Sequence, residues 1–131
     1  MNIILHTNAQ DPALELMSVQ AEIGEFFSCV LSLRSAPFRA DERFLFDADS
    51  LERAITALQN MNETLRGSAR LDMPYEDAHI AFAGDGLGHV NVSGIVLGGI
   101  AQRLEWEFTT DQTCLSPLVR DLRKLFEIGV R

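Results

Sequence analysis

The sequence is poor in almost everything that would mark a metalloprotein, a redox catalyst or a membrane protein. Cysteine occurs twice, at Cys29 and Cys114. The two stand far apart and form no C-x-x-C pair, so neither a zinc ribbon nor a dithiol motif is spelled out. In a reducing compartment both are thiols, and Cys29, on the apolar side of an alternating segment, takes the place of a small hydrophobe. No apolar run approaches the ~20 residues of a membrane span. Asn2 to Thr7 leads straight into polar residues, with no basic and apolar leader pattern. The expectation is a cytoplasmic protein that makes no membrane contact.

Positive charge is short as well. Eleven Lys and Arg residues stand against nineteen Asp and Glu, a net charge of −8, and ten of the eleven are arginine, with Lys124 alone. Phosphate recognition wants a basic face, which argues against nucleic acid as a partner. A basic protein partner fits the balance; so does plain solubility. At 131 residues the chain is expected to be one domain, residues 1–131, able to bury about two-thirds of its unfolded surface without metal or disulfide staples.

The constellations that could carry chemistry each fail on a physical point. Gly84-x-Gly86-x-Gly88 lacks the third glycine spacing of a dinucleotide fingerprint, since position 89 is His89. It also runs into an alternating segment and not into a helix whose N-terminus could hold pyrophosphate. It reads as a hairpin turn. His79 and His89 flank that turn. A two-residue Asp85-Gly86 turn puts them on opposite faces, and a three-residue loop over Gly84 to Gly86 puts them on the same one. Either way two imidazoles with no near third ligand fall short of a zinc site. Asp47-x-Asp49 has no glycine at the sixth position of a calcium loop and enters a helix instead. The serines form no G-x-S-x-G elbow, and no two carboxylates stand out as an acid–base pair. No catalytic residue, metal ligand or cofactor is expected.

What the chain does contain is periodicity. Ile3–His6 predicts a short strand and Leu14–Ile23 a second, with a bulge where the apolar parity changes between Leu16 and Met17. Phe27, Cys29, Leu31 and Leu33 line one face of a third. After the Ser35-Ala36-Pro37 turn, Phe38, Ala40, Phe44 and Phe46 mark a fourth, antiparallel to it. Asp49 then reads as a helix N-cap with Glu52 completing a capping box, Leu51, Ala54, Ile55, Leu58, Met61 and Leu65 as the buried stripe, and Gly67 as the stop. Strands follow at Ser68–Asp72, His79–Ala83 and His89–Leu97. Leu104, Trp106 and Phe108 then alternate with Arg103, Glu105, Glu107 and Thr109, a strand with one buried face. Asp111 and Thr113 cap a last helix whose stripe is Leu115, Leu118, Val119, Leu122, Leu125 and Phe126. The order predicts an α+β fold: a mostly antiparallel β-sheet with two amphipathic helices packed on one face.

Charge is unevenly spread. Between Asp72 and Asp111 lie seven acids and one base, Arg103, so this segment carries −6 of the −8. Glu105 and Glu107 must face solvent because Leu104, Trp106 and Phe108 take the other side. With Glu76, Asp77 and Asp85 they make a candidate partner-binding surface, a docking patch for a basic protein. The plainer reading is a solvated sheet face that discourages edge-to-edge association.

Gly88-His89-Val90-x-Val92-x-Gly94, then Leu104-x-Trp106-x-Phe108-x-x-Asp111-Gln112-Thr113-x-Leu115 and the Leu-rich helix after it, resemble the WapI-type immunity proteins, small antidotes of bacterial polymorphic and contact-dependent toxin systems. The resemblance is clearest from His79 to Phe126, and the helix from Leu51 to Leu65 fits the same layout. It implies a non-enzymatic inhibitor that binds a cognate toxin domain, often a basic nuclease. The family offers no catalytic residues to carry over, and its toxin-contacting positions diverge, so the patch rests on charge. The alternative is a structural or assembly domain forming a homo-oligomer through an edge strand.

Overall fold

The computed structural model describes residues 1–7 and 9–129. The chain runs twice through the same order, four strands and then a helix. β1 (Ile3–Leu5), β2 (Ala13–Glu22), β3 (Phe26–Ser35) and β4 (Phe38–Asp47) form one antiparallel sheet in sequential order and lead into α1 (Ala48–Thr64). β5 (Arg66–Asp72), β6 (His79–Asp85), β7 (His89–Leu97) and β8 (Arg103–Asp111) form the second, followed by a 3-10 turn at Gln112–Cys114 and α2 (Leu115–Gly129). The fold is α+β with antiparallel strands and two amphipathic helices, as the periodicity predicts, and the strands divide into two sheets of four.

Burial explains the architecture. Each strand turns its alternate apolar residues inward, and the stripes of α1 and α2 meet them. Ile3, Leu5, Leu14 and Leu16 of the first sheet converge with Leu71, Ile80 and Phe82 of the second and with Ala54, Leu58, Leu118 and Leu122 of the helices. Only a void of about 20 Å³ is left among them. Phe27, Phe44 and Phe46, all essentially inaccessible, extend this core under the first sheet, with Phe27 and Phe46 stacked at 5.3 Å between ring centroids. Buried Ser50 ties the layers together: its hydroxyl accepts the Asp72 amide at 3.1 Å, joining the start of α1 to the end of β5.

Several local expectations are corrected. The N-cap of α1 is Asp47, not Asp49; the Asp47 carboxylate accepts the Ser50 amide at 2.7 Å, and Asp49 lies inside the first turn. The helix therefore begins two residues earlier, and the acid nearer the strand takes the cap because β4 runs unbroken to it. The helix stops at Leu65, which adopts a left-handed conformation with φ 65° and returns its amide to the Met61 carbonyl at 2.7 Å, while Gly67 already belongs to β5. The bulge in β2 falls between Met17 and Gln20, with Ser18 at φ 53°. It turns Val19 inward and leaves Met17, Ala21 and Ile23 outside. Phe38 is exposed despite sharing parity with Phe44 and Phe46, since the β3–β4 hairpin tip projects beyond the core.

Candidate partner interface

The second sheet presents an outer face whose composition follows from register. Glu105 stands opposite Ile95, which stands opposite His79, itself opposite Asp72; one row along come Glu107, Ser93, Ala81 and Arg70. The two central strands thus present His79, Ala81, Ser93 and Ile95 here, and charge collects on the two edge strands. β8 supplies Glu105 and Glu107, both exposed. β5 supplies Arg66 and Arg70, the latter paired with Asp72 at 2.8 Å.

Glu105 and Glu107 are two residues apart on one face of a strand, about 7 Å, and each is held differently. Asn91 donates to Glu107 at 2.6 Å. The Arg103 guanidinium donates to Glu105 at 3.0 Å and to Asp77 at 3.2 Å. Those hydrogen bonds, Glu105 first and Asp77 next, raise the pKa of Arg103 and keep its charge fixed. Asp77 is thereby drawn from the β5–β6 loop to the Glu105 end of β8, with its side chain 76% exposed. Glu76, next to it, lines an open cleft of about 610 Å³ between that loop, the β7–β8 loop and the middle of β4, where Glu42 and Arg43 lie.

Asp85 lies elsewhere. It sits at the β6–β7 turn, six residues along β6 from His79, a separation of about 20 Å. Its carboxylate caps the turn, accepting the Leu87 amide at 2.7 Å and the His89 amide at 3.1 Å, with His89 Nδ1 at 2.6 Å. The Leu87 amide foremost, then His89, hold its carboxyl below the usual carboxylate range. Glu76, Asp77 and Glu105 thus gather toward one end, Glu107 stands at the middle of β8, and Asp85 serves the opposite turn.

The histidines resolve in the same frame. The turn is Gly86-Leu87-Gly88, so His79 and His89 share the outer face but occupy its two ends, too far apart to hold one ion. Among the described residues no group of three His, Cys, Asp or Glu side chains could hold a metal, and no helix is long and apolar enough to cross a membrane.

Beneath Glu105 and Glu107, Trp106 and Phe108 stack at 5.9 Å on the inner side of β8. The Trp106 indole lies across Gly94: a Cβ added there would stand 2.6 Å from its Cζ2 atom. Glycine at this position is a packing requirement.

Two exposed hydrophobic residues lie outside every periodic segment of the sequence. Tyr75 and Ile100 are fully solvent-exposed at the tips of the β5–β6 and β7–β8 loops. Single apolar residues in loops carry no periodic signal, and only Pro74 before one and Gly98-Gly99 before the other mark the turns that display them.

The profile of the Immunity protein WapI-like family matches residues 9–128 of the chain. No curated protein matches its sequence. Among solved structures, a chain from the crystal structures of Trypanosoma bruciei MRP1/MRP2 is similar, with a TM-score of 0.58 and 12% identity over 99% of this chain and 84% of that one. At that identity the likeness describes the fold alone.

Proposed function

The chain belongs to the Immunity protein WapI-like family, a membership that implies binding to a toxin and a non-enzymatic role, and from that premise we propose that it neutralises a cognate bacterial toxin in the cytoplasm by binding it through the acidic edge of its second sheet. The observation that carries this reading is the pair Glu105 and Glu107, exposed side by side on edge strand β8, with Asp77 brought to the same end through Arg103. A basic toxin domain, such as a nuclease, is the partner of complementary charge, and opposite charge across an interface speeds encounter and excludes wrong partners. Asp85, held in its own turn, stays outside the contact.

Calorimetric titration of the toxin domain at rising ionic strength tests this. Exposed charges screen over about 10 Å at 0.1 M salt, so affinity should fall as salt rises. Salt-independent binding would remove the acidic edge from the account.

Self-association through an edge strand has one observation in its favour, the position of β1, β4, β5 and β8 at the ends of the two sheets. Pairing β8 with a second β8 would bring Glu105 and Glu107 near their own copies, which costs energy. The toxin reading therefore stands first, and light scattering that returns a monomer mass would remove the alternative.

A further inference from the structure

The two loops that carry Tyr75 and Ile100 meet at one place. Tyr75 stands between Met73 and Glu76, and Ile100 between Gly99 and Ala101; all four flanking residues line the cleft at the end of the second sheet. The Arg103–Asp77 pair fastens the first of these loops to the start of β8, where the second loop ends. Tyr75 and Ala101 hold left-handed backbone conformations, φ 64° and 61°, uncommon for residues with a side chain. The side chains of Tyr75 and Ile100 are entirely open to water, at 105% and 101% of their reference areas.

Other exposed apolar residues do not share this setting. Ile23 and Leu87 each crown a hairpin turn alone, and scattered single hydrophobes on a surface are ordinary. Tyr75 and Ile100 are a pair on two loops that flank a common cleft lined on its apolar side by Met73, Ala78 and Leu97. Tyrosine is also enriched among the residues that dominate binding energy at interfaces.

Charge decides what fits there. Arg103 is shared between Asp77 and Glu105, while Glu42 and Glu76 line the cleft without an ion pair among the described residues. The cleft and its edge thus hold four carboxylates against the two cations Arg43 and Arg103. Resting on the toxin-binding reading above, we infer that this end of the molecule is the anchoring point of the complex: Tyr75 and Ile100 grip an apolar patch on the toxin, and the cleft takes an arginine or lysine side chain beside that patch. The aliphatic stem of such a side chain lies against the apolar side and its charge meets Glu42 and Glu76. The carboxylates of β8 then form the outer, water-exposed part of the contact, which sets encounter rate more than lifetime.

The test uses the full chain and, as probe, the catalytically inactivated C-terminal domain encoded immediately upstream of it. Affinity is read by calorimetry for the wild type, Tyr75→Ala/Ile100→Ala, Glu105→Lys/Glu107→Lys, and the control Ile23→Ser/Leu87→Ser. Unchanged thermal melting establishes that each variant folds. The inference expects a loss of about thirtyfold or more for Tyr75→Ala/Ile100→Ala, mainly through faster dissociation, and no change for the control. It also expects slowed hydrogen exchange over residues 73–78 and 98–103 in the complex. Wild-type affinity in Tyr75→Ala/Ile100→Ala, with the double-lysine variant impaired, would overturn the anchoring role and leave the toxin reading standing. Failure of the wild type to bind the probe would overturn both.

Discussion

Arg103, at the first position of β8, reaches Asp77 in the β5–β6 loop at 3.2 Å while the same guanidinium holds Glu105 at 3.0 Å. One cation therefore organises three things that lie far apart in sequence: the acidic edge, the loop bearing Glu76 and Tyr75, and the loop bearing Ile100. Both bonds are exposed, and exposed pairs contribute little to stability. Arg103→Ala should leave the melting temperature within a few degrees of wild type while loosening residues 73–78, read as faster hydrogen exchange there. Unchanged exchange would mean the loops hold their positions without this tie.

The capping assignment makes a sharp comparison. Removing an N-cap side chain costs about 1 kcal/mol, and removing a first-turn acid costs only its interaction with the helix dipole, about 0.3–1 kcal/mol. Asp47→Ala should therefore destabilise the protein more than Asp49→Ala in urea unfolding. The reverse order would restore Asp49 as the cap.

Much of this was legible in the sequence, and the failures have physical causes. The strand from His89 to Leu97 and the alternation of Leu104, Trp106 and Phe108 are readable because one face is buried and the other wet. The α1 cap is ambiguous in the sequence because Asp47 and Asp49 are both good capping residues, and only the end of β4 decides between them. Division of the strands into two sheets depends on how α1 crosses from one to the other, which no local period encodes. For the candidate site, the exposure of Glu105 and Glu107 follows from alternation alone. The approach of Asp77 and the departure of Asp85 are register and loop geometry, joined through residues 26 apart (Asp77 and Arg103).

Gly94 should tolerate no side chain. Gly94→Val drives branched atoms into the Trp106 ring and the backbone of β6. Overpacking of this kind costs about 1–3 kcal/mol. Trp106 is the single tryptophan, so its fluorescence reports the displacement directly, alongside a lower unfolding midpoint. An unshifted spectrum and midpoint would contradict the packing described.

The thiols should be silent in the folded protein. Burial pushes Cys29 up to about 12 and, with Asp111 adding to it, Cys114 up to about 11, from an ordinary value of 9.0. Because the thiolate is the reactive form, neither should react with iodoacetamide at pH 8 until the chain unfolds. The unfolded chain loses these protons first, so stability should begin to fall above about pH 9 and continue falling toward pH 11–12. Rapid alkylation of the native protein, or rising stability over that range, would refute the buried placement of Cys29 and Cys114.

Neutralisation of a toxin through the β8 carboxylates, as proposed above, is open to a growth assay. The most direct measurement is growth of a test bacterium expressing the upstream C-terminal domain alone, with the wild-type chain, or with Glu105→Lys/Glu107→Lys. Arrest is expected with the domain alone, restored growth with the wild type, and continued arrest with the variant although it accumulates and melts normally. Arrest that the wild type fails to relieve, or full protection by the double-lysine variant, would contradict the proposal.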